Sequence, residues 1–564
     1  MHLITNFLNK ISNILRNNLA FFLLIFFLGI IPTSLDILLH ETQSLIVVKS
    51  VCMISYVFFI SYCIISFYDK ILKKKWFKFF LVSIWILVFI IESFLLATYD
   101  TLISPSIIFI LANTNLSEVL EFLSFIFTPS NIIRSVIILA TPVIIVWGEK
   151  FLKILPFMQF KCFGWGVLFM LVFGGCVFGY SFHRLPSIIS YRVITPCERL
   201  FFSIQQAKQD LNEMKNALAD SRFSEPSLLK NESEIKNIVI LLGESLSKDK
   251  MGCYGYYLNT TPLLEQKIKN GNLHLFKDVI APYGVTSECI KNIMTSYNTE
   301  STSNWLDSEV LADAMEKAGY TSYWISNQEN FGVFANLPVM ISKRFDVVNF
   351  TRIRSSSEER YGTFDEDLLP LVKNVLEDSA NKRFIVIHMM GSHTRYKYRY
   401  PTTFDLFSSN DIKGKTKAQA KVISEYLNSV LYTDYVVNNI LDLFKEDETL
   451  VFFFSDHGEE VYDFRNFAGH GITKNSRYIA EIPFMVYYSD TIAKKYPNKV
   501  NKIKSSVDFR FMTDDFYSTL LDIVGIETEH SDSTKSLFNS CFNQERKRIF
   551  NGNIDYDKIL KNKN

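Results

Sequence analysis

Residues 237–245 read NIVILLGES, a run of apolar side chains that ends on glycine, glutamate and serine. Two later stretches repeat this pattern, FIVIHMMGSH at 384–393 and LVFFFSDHG at 450–458. Short continuous runs rich in β-branched and aromatic residues, alternating with helical stretches, are typical of a sheet buried on both faces. We therefore predict that residues 235–564 form an α/β domain built on an open, parallel sheet.

Polar residues follow the predicted strands. In an open parallel sheet, ligands bind beyond the carboxyl ends of the strands. Imidazole nitrogens and carboxylate oxygens, with one position left for a reacting group, suit zinc. Each residue also has an ordinary reading: Glu244 as a helix cap, Asp456 as a turn cap, and His388 as a core histidine. The candidates at or near these strand ends are Glu244, His393, Asp456, His457 and His470.

A candidate nucleophile lies in the segment DVIAPYGVTSECIKNIMTS at 278–296. The segment passes from a strand-like start through a Pro-Gly loop to Thr286 and then into a helix-like run. A hydroxyl at a helix N-terminus lies beside backbone N–H groups that can hold phosphate oxygens. Ser287 and Cys289 are neighbouring alternatives, and the structural alternative is that Thr286 only caps the helix.

Residues 1–183 contain nearly all of the long apolar runs. A helix needs about 20 residues to cross a hydrocarbon core of roughly 30 Å. Several such runs in succession rarely occur in a water-soluble core, and the first is too long for a signal peptide. We predict five transmembrane helices, at Leu19–Leu39, Ile46–Phe67, Phe77–Ala97, Ile132–Trp147 and Phe163–Phe182.

The connections between these runs alternate in charge. Lysines are concentrated in residues 70–78 and 150–161, whereas the connections on the other side carry acidic residues instead. Because basic loops remain in the cytoplasm, the N-terminus is predicted to be cytoplasmic. An odd number of spans then places the chain after residue 183 outside the cytoplasm.

The predicted domain boundaries are 1–183 for the membrane domain, 184–234 for a connector and 235–564 for the outer domain. Within the connector, Leu200–Leu218 has helical periodicity and would lie on the membrane surface or pack under the next domain. Glu92 stands near the end of a span. It would either extend to the interface or lie at the outer mouth of a lipid site.

Composition narrows the class of protein. Among 564 residues, 59 Lys and Arg face 58 Asp and Glu, so bulk electrostatic attraction to nucleic acid is excluded. A hydrophobic content of 48% with 21% charged residues argues against disorder. Four of the eight cysteines fall in the outer half without CxxC spacing; they allow one or two disulfides whose pairing stays open.

Taken together, the motifs resemble those of the phosphoethanolamine transferases, inner-membrane enzymes with an alkaline-phosphatase/sulfatase-like periplasmic domain that decorate lipopolysaccharide in Gram-negative bacteria. The resemblance covers nearly the whole chain, including five N-terminal spans. It therefore implies an α-helical membrane domain followed by a periplasmic α/β domain of that type. The matching segments are GES (243–245), TP (261–262), Thr286, WISNQ (324–328), HMMGSH (388–393), RYP (399–401), DHGEE (456–460) and HG (470–471).

The resemblance implies roles for the site residues. Thr286 would be the nucleophile that becomes phosphorylated. His393 and His470 would bind the phosphoryl group or a further zinc, and one of them would transfer a proton. The implied ligands of one tightly bound zinc ion, with room for a second, are Glu244, Thr286, Asp456 and His457.

Substrate contacts are also implied. The segment ANTNLSEVLEFL at 112–123 resembles a periplasmic-loop motif of the family, which places Thr114 and Glu118 at the ethanolamine head group. Asn327 is a further substrate-binding candidate. The donor would be phosphatidylethanolamine in the membrane, the acceptor lipopolysaccharide or another envelope glycan, and the protein a monomer that binds no nucleic acid.

Two departures from the family pattern leave the acceptor open between a core heptose, lipid A and another envelope glycan or protein. Ile110 replaces the asparagine expected four residues before Thr114. Pro282 and Asn292 occupy the positions of a disulfide that usually flanks the nucleophile in enzymes acting on lipid A. A phosphatase or sulfatase, a phosphoglycerol transferase and a non-enzymatic membrane protein are the competing readings.

Overall fold

A computed structural model describes residues 2–40, 43–72, 74–99, 101–105, 107–108, 136, 138, 140–144, 162–184, 194–219, 223–329, 337–352, 364–471 and 474–561. The chain divides into two compact units, residues 1–212 and 213–564. The division falls within the predicted connector, and the boundaries at 183 and 234 stay predictions.

The first unit is helical throughout its described long segments. Three of its apolar segments are long enough to cross a membrane, Leu19–Leu39, Ile46–Lys70 and Lys75–Ala97, and they correspond to the first three predicted spans. The helices are His2–Asn17, Leu19–His40, Gln43–Phe67, Lys75–Tyr99, Cys162–Arg184 and Pro196–Ala219, and a π-helical turn occupies Tyr68–Leu72.

The predicted count of five spans is not established. The apolar part of the helix at the fifth run, Phe163–Gly179, is shorter than the other three. Most of the fourth run, 132–147, lies outside the described residues. The fifth-run helix packs closely on Gln43–Phe67 through Gly174, where a Cβ atom would lie 2.2 Å from the Ser55 carbonyl oxygen.

The predicted connector helix is present and begins earlier than expected, at Pro196. Its first turn is a capping box: Glu198 N donates to Thr195 Oγ1 at 3.3 Å, and Thr195 N donates to Glu198 Oε2 at 2.9 Å. Arg199, the next residue of this helix, determines the surroundings of Glu92. Glu92 is fully buried and bound to Arg199 at 2.6 Å, so its side chain does not extend outward to an interface, and a place at the mouth of a lipid site stays a prediction.

A seven-stranded sheet forms the centre of the second unit. Its strands, in chain order, are β1 Asn237–Gly243, β2 Leu273–Phe276, β3 Thr321–Glu329, β4 Val347–Arg352, β5 Arg383–His388, β6 Thr449–Ser455 and β7 Phe484–Tyr488. Their order across the sheet is β2-β7-β6-β1-β5-β3-β4. The five strands from β6 to β4 run parallel, and β7 is antiparallel to both of its neighbours.

Both faces of the sheet are covered, as the continuous apolar runs predict. In β1, Ile238, Ile240 and Leu242 belong to one buried cluster, whereas Val239 and Leu241 belong to another. Side chains of a strand point alternately to opposite faces, so an unbroken apolar run places apolar groups in both layers.

The second unit also contains helices, most of which pack in those two layers, while Ile479 and Ala480 of one short helix belong to a separate buried cluster. The helices are Pro262–Asn270, Thr286–Met294, Leu311–Lys317, Leu337–Ser342, Leu368–Glu377, Lys417–Leu443, Arg477–Ala480, Asp490–Lys495, Pro497–Ser505 and Phe516–Val524. Small strand pairs lie outside the main sheet: Leu228–Asn231 with Ile526–Thr528, Glu460–Val461 with Ala468–Gly469, Asp278–Ile280 with Arg510–Met512, and Ile549–Phe550 with Ile554–Asp555. The cysteines of the outer half form no disulfide: Cys197, Cys253, Cys289 and Cys541 are all unpaired.

Candidate active site

Sheet register brings the predicted ligands together. β1 and β6 are parallel neighbours with Gly243 opposite Ser455, so the residues that follow each strand meet at one edge. His457 Nε2 lies 3.4 Å from Glu244 Oε1 and 3.4 Å from Asp456 Oδ2. All three side chains are buried. These groups, about 210 positions apart in the chain, form one cluster because adjacent parallel strands end at the same edge.

Thr286 joins this cluster from a helix rather than a strand. It is the first residue of Thr286–Met294. Its hydroxyl donates to Glu244 Oε2 at 3.0 Å, and its Oγ1 lies 3.4 Å from His457 Nε2. The side chain is half-buried and stands at a helix N-terminus, where backbone N–H groups favour an anion.

His457 carries its proton on Nδ1, which leaves Nε2 free to donate an electron pair. Nδ1 lies 2.9 Å from the Gly458 carbonyl oxygen, which can only accept, so Nδ1 carries the proton. Burial, together with His470, lowers the pKa of His457 to about 4, so the ring is neutral near pH 7. Nε2 therefore directs a lone pair toward two carboxylates.

This donor set fits a divalent cation. Asp456 Oδ2 is buried and accepts no hydrogen bond within the described part of the chain. Four ligands at roughly 2.05 Å in a tetrahedron would stand about 3.3 Å apart, close to the 3.4 Å separations measured here. Glu244, Asp456 and His457 can offer one ligand atom each within 4.8 Å of one another. A cation would relieve the repulsion among these electron pairs.

Without a cation the two carboxyl groups differ in their pKa. Burial and the nearby charge of Glu244 raise the pKa of Asp456 well above its usual range. Burial also acts to raise the pKa of Glu244, but the surrounding histidines outweigh it and hold that pKa low. A bound divalent ion would favour the ionised form of both groups.

Two further histidines lie beside the cluster. The ring of His470 is 4.2 Å from that of His457 and 6.0 Å from that of His393, measured between centroids. Burial lowers the pKa of His393 to about 3, so its ring is neutral. Burial also opposes a charge on His470, but Glu459 outweighs this effect and raises the pKa of His470 above its usual value. The two rings are thus suited to opposite proton-transfer roles.

Glu459 orients His470 and was not singled out from the sequence. Its Oε2 lies 2.7 Å from His470 Nδ1, and its Oε1 accepts a hydrogen bond of 2.5 Å from the Tyr396 hydroxyl. With Nδ1 bound, Nε2 of His470 is left for other partners. The signal was present in the DHGEE motif, but nothing in that spacing indicates which glutamate meets which histidine.

Among the described residues, the side-chain amide of Asn327 donates to Asp365 and not to a residue of the cluster. It is fully buried and donates to Asp365 Oδ1 at 2.7 Å. Its neighbour Gln328 reaches Glu244 instead, donating to Oε2 at 3.1 Å and to the Met389 carbonyl oxygen at 3.1 Å. A role for Asn327 in substrate binding stays a prediction, as do the contacts of Thr114 and Glu118, which lie outside the described residues.

His388 is a core residue, as the sequence favoured. It is fully buried, its ring packs against Trp324 at 5.6 Å, and burial lowers its pKa to about 4.

Comparison with known proteins now identifies the fold family. The sequence profile of the sulfatase family, described as "Sulfatase", matches residues 236–526, which is just over half of the chain. The chain belongs to the sulfatase family.

Individual relatives narrow the comparison. Phosphoethanolamine transferase EptC of Escherichia coli O18:K1:H7 (strain RS218 / NMEC) is 27% identical over 490 residues, which cover 82% of this chain and 83% of that protein. The crystal structure of the C-terminal periplasmic domain of EptC from Escherichia coli, in complex with Zn, is 29% identical and has a TM-score of 0.55. That match covers 60% of this chain and 97% of the domain.

One solved structure matches both units. The integral membrane protein lipooligosaccharide phosphoethanolamine transferase A (EptA) from Neisseria meningitidis has a TM-score of 0.63 at 16% identity, covering 92% of this chain and 97% of that protein. This likeness shows a shared fold, and three helices of this chain are long and apolar enough to cross a membrane. The predicted resemblance to phosphoethanolamine transferases is confirmed, and the protein is an enzyme of the transferase type.

Proposed function

We propose that this enzyme transfers phosphoethanolamine from phosphatidylethanolamine to lipopolysaccharide, on a core sugar or on lipid A, through a phosphothreonine intermediate. The observation that carries the proposal is the position of Thr286. Its hydroxyl stands at a helix N-terminus, donates to Glu244 at 3.0 Å and lies beside the ring nitrogen of His457 at 3.4 Å. A hydroxyl in that position is suited to attack a phosphorus atom.

Zinc is the proposed cofactor. Glu244, Thr286, Asp456 and His457 would hold one ion, and His470 with Glu459 offers donors on the adjoining side for a second. When bound, zinc lowers the pKa of a hydroxyl and offsets negative charge on phosphoryl oxygens. The EptC domain solved with Zn supports this choice of metal.

In the first half-reaction, Oγ1 of Thr286 forms a bond to phosphorus as the bond from phosphorus to the glycerol oxygen breaks. The Thr286 hydroxyl, which donates to Glu244 Oε2 in the resting site, gives its proton to solvent before the attack, since a bound zinc would lower the pKa of the hydroxyl, while Glu244, whose own pKa is held low, stays ionised. The N-terminal amides of the Thr286 helix hold the phosphoryl oxygens. His470, whose pKa Glu459 raises, donates a proton to the leaving glycerol oxygen, and diacylglycerol departs.

In the second half-reaction, an acceptor hydroxyl attacks the phosphothreonine. His393 is neutral because burial lowers its pKa, so it can accept the proton of that hydroxyl. The bond from phosphorus to Oγ1 of Thr286 breaks, Thr286 takes a proton back from solvent, and proton exchange with solvent returns His393 to its neutral form and His470 to its protonated form. Thr114 and Glu118 are proposed to contact the ethanolamine head group, with the carboxylate facing its ammonium.

The proposed location is a bacterial inner membrane, with the N-terminus in the cytoplasm and the catalytic unit in the periplasm. A donor that cannot leave the bilayer is met most often by an enzyme tethered to it. A reporter enzyme fused after Ser221 should be active only outside the cytoplasm. Activity on the cytoplasmic side would overturn the five-span topology while leaving the chemistry open.

The function is tested with the full chain in lipid nanodiscs, supplied with phosphatidylethanolamine that is fluorescent in one acyl chain and with purified lipopolysaccharide. We expect labelled diacylglycerol and a lipopolysaccharide mass increase matching one phosphoethanolamine. Thr286→Ala should abolish both products, whereas the matched control Ser287→Ala should retain them. Diacylglycerol without modified acceptor would indicate a hydrolase, and normal transfer by Thr286→Ala would remove Thr286 as the nucleophile.

A further inference from the structure

The loop after β5 carries His393 and passes directly against Glu244. Its backbone is held to the Glu244 residue by Ser392 N, which donates to the Glu244 carbonyl oxygen at 2.9 Å. Gly391 makes this approach possible, because a Cβ atom there would lie 2.6 Å from the same oxygen. The position of this loop therefore affects one cluster residue directly and one histidine of the site.

Asp365 binds the backbone of the same loop. Its Oδ1 accepts a hydrogen bond from Met390 N at 2.8 Å, and its Oδ2 accepts one from Gly391 N at 2.9 Å. The carboxyl group also accepts from Asn327 Nδ2 at 2.7 Å. Asp365 is 3% exposed and lies in a short 3₁₀ turn before the helix Leu368–Glu377. A buried carboxylate is costly unless it is hydrogen-bonded, and two of these three donors are amides of the loop.

A chain of hydrogen bonds holds Asp365 itself in place. Thr351, in β4, donates to Asn327 Oδ1, and Asn327 at the end of β3 donates to Asp365. On the next residue of β3, Gln328 donates to both Glu244 and the Met389 carbonyl oxygen. Of these adjacent residues, Asn327 therefore binds Asp365, which holds the loop, and Gln328 binds both the loop and Glu244.

We propose that Asp365 is a positioning residue for the transfer reaction: it holds the backbone of residues 390 and 391 so that Glu244 and His393 keep their working geometry. Among the described residues, the hydrogen bonds given for Asp365 go to the loop amides and to Asn327, so its proposed effect on the cluster passes through the loop. The proposal rests on the proposed function. In this proposal Asn327 holds the Asp365 carboxylate in place by a hydrogen bond. Asn327 would then influence catalysis through Asp365 rather than through the substrate.

The test uses the full chain in nanodiscs with fluorescent phosphatidylethanolamine and lipopolysaccharide. Asp365→Asn keeps the shape but replaces one acceptor oxygen by an amide group, which then meets an N–H donor of the loop or of Asn327. Partners of this kind typically contribute about 10–100-fold to activity, and we expect kcat to fall about 30-fold. KM for the lipid, and the zinc content of the folded protein, should remain near those of the wild type.

The matched control is Asp367→Asn, which makes the same change of charge two residues later at an exposed position. It should leave kcat unchanged. A kcat of Asp365→Asn within threefold of the wild type would overturn the proposal. So would a loss of activity that only parallels a loss of folded or zinc-loaded protein, because that result describes a structural residue.

A second variant covers the case in which Asp365→Asn does not fold. Thr351→Val removes the hydroxyl behind Asn327 without altering the loop, and we expect a fall in kcat of about threefold at unchanged KM. Wild-type kcat in this variant, beside an unfolded Asp365→Asn, would overturn the proposal. The wild-type protein tests the proposed function separately. If the wild type transfers no phosphoethanolamine, the proposed function is wrong. If the wild type transfers it and the Asp365 variant does so equally well, only the positioning role is wrong.

Discussion

Arg199 Nε lies 2.6 Å from Glu92 Oε1, and both side chains are completely buried within the first unit. The guanidinium also donates to Glu92 Oε2 at 3.2 Å and to Thr33 Oγ1 at 2.8 Å. Arg199 belongs to the connector helix, Glu92 to Lys75–Tyr99 and Thr33 to Leu19–His40. One arginine therefore joins the start of the connector helix to two of the membrane-type helices.

Breaking this pair should destabilise the first unit. Removing one partner of a buried pair leaves the other charge unpaired and costs about 3–5 kcal/mol, whereas replacing both with apolar residues is often nearly neutral. We expect Arg199→Met to lower the thermal midpoint of the full chain in detergent, and the double variant Glu92→Leu with Arg199→Met to recover most of it. As a control, Lys230→Met breaks an exposed pair with Glu232 and should have little effect. A wild-type midpoint for Arg199→Met alone would contradict the prediction.

Metal content should depend on the carboxylates of the cluster. Glu244→Gln removes a charged donor from the group that also contains Asp456 and His457. We expect about one tightly bound zinc per wild-type chain and at least a tenfold weaker affinity in Glu244→Gln, measured by elemental analysis after dialysis against a chelator. Glu446→Gln, with 88% of its side chain exposed, serves as the control. Active wild-type protein without metal would defeat the assignment.

The pH profile should report the contact between Glu459 and His470. Glu459 raises the pKa of His470, so Glu459→Gln should lower it. Because a general acid must be protonated, activity falls as pH rises through that pKa, and the alkaline limb of kcat/KM should move to lower pH in the variant. The same contact contributes stability below the unfolded pKa of 6.5, and that stability is lost as pH rises through the folded pKa. Glu460→Gln, which instead alters the partner of Arg465, should leave the limb in place.

Gly391 is a position where a single methyl group should disable the site. Its φ is +53°, and a Cβ atom would lie 2.6 Å from the Glu244 carbonyl oxygen. Gly391→Ala should therefore displace the loop or Glu244 and lower kcat by about 100-fold or more. Gly414→Ala shares a positive φ of +73° but meets nothing within 4 Å, so only backbone strain of about 1 kcal/mol is expected there. Equal activities of the two variants would show that the close approach is unimportant.

The parallel sheet and the grouping of Glu244, Asp456 and His457 could be predicted from the sequence, because each depends on a local pattern. An apolar run that ends on Gly-Glu-Ser or Asp-His-Gly marks both a strand and its carboxyl end, and ligands gather at that edge. Thr286 was harder to identify than Glu244 or Asp456, because a hydroxyl at a helix start is also an ordinary cap. In the structure Val285 is the N-cap residue, and the Thr286 hydroxyl donates to Glu244 at 3.0 Å; the nucleophilic role of Thr286 stays a prediction.

Contacts between residues far apart in the chain could not be predicted from the sequence. Glu92 was expected at an interface, since its neighbours in sequence are those of a span, and only folding brings Arg199 to it across 107 positions. The sequence around Asp365 and Glu459 contains no pattern that predicts a special role for either residue. Their roles depend on which donors face them in space.

The order of apolar and polar residues along the chain was enough to define a membrane-type first part, an α/β second part and a set of candidate ligands, because periodicity and strand-end chemistry act over a few neighbouring residues. The folded molecule alone decided that Gln328 rather than Asn327 meets Glu244, that Glu459 binds His470, and that Asp365 holds the loop beside them. Each of these contacts joins segments far apart in the chain, and hydrogen bonds depend on distances of a few tenths of an ångström that no linear pattern encodes.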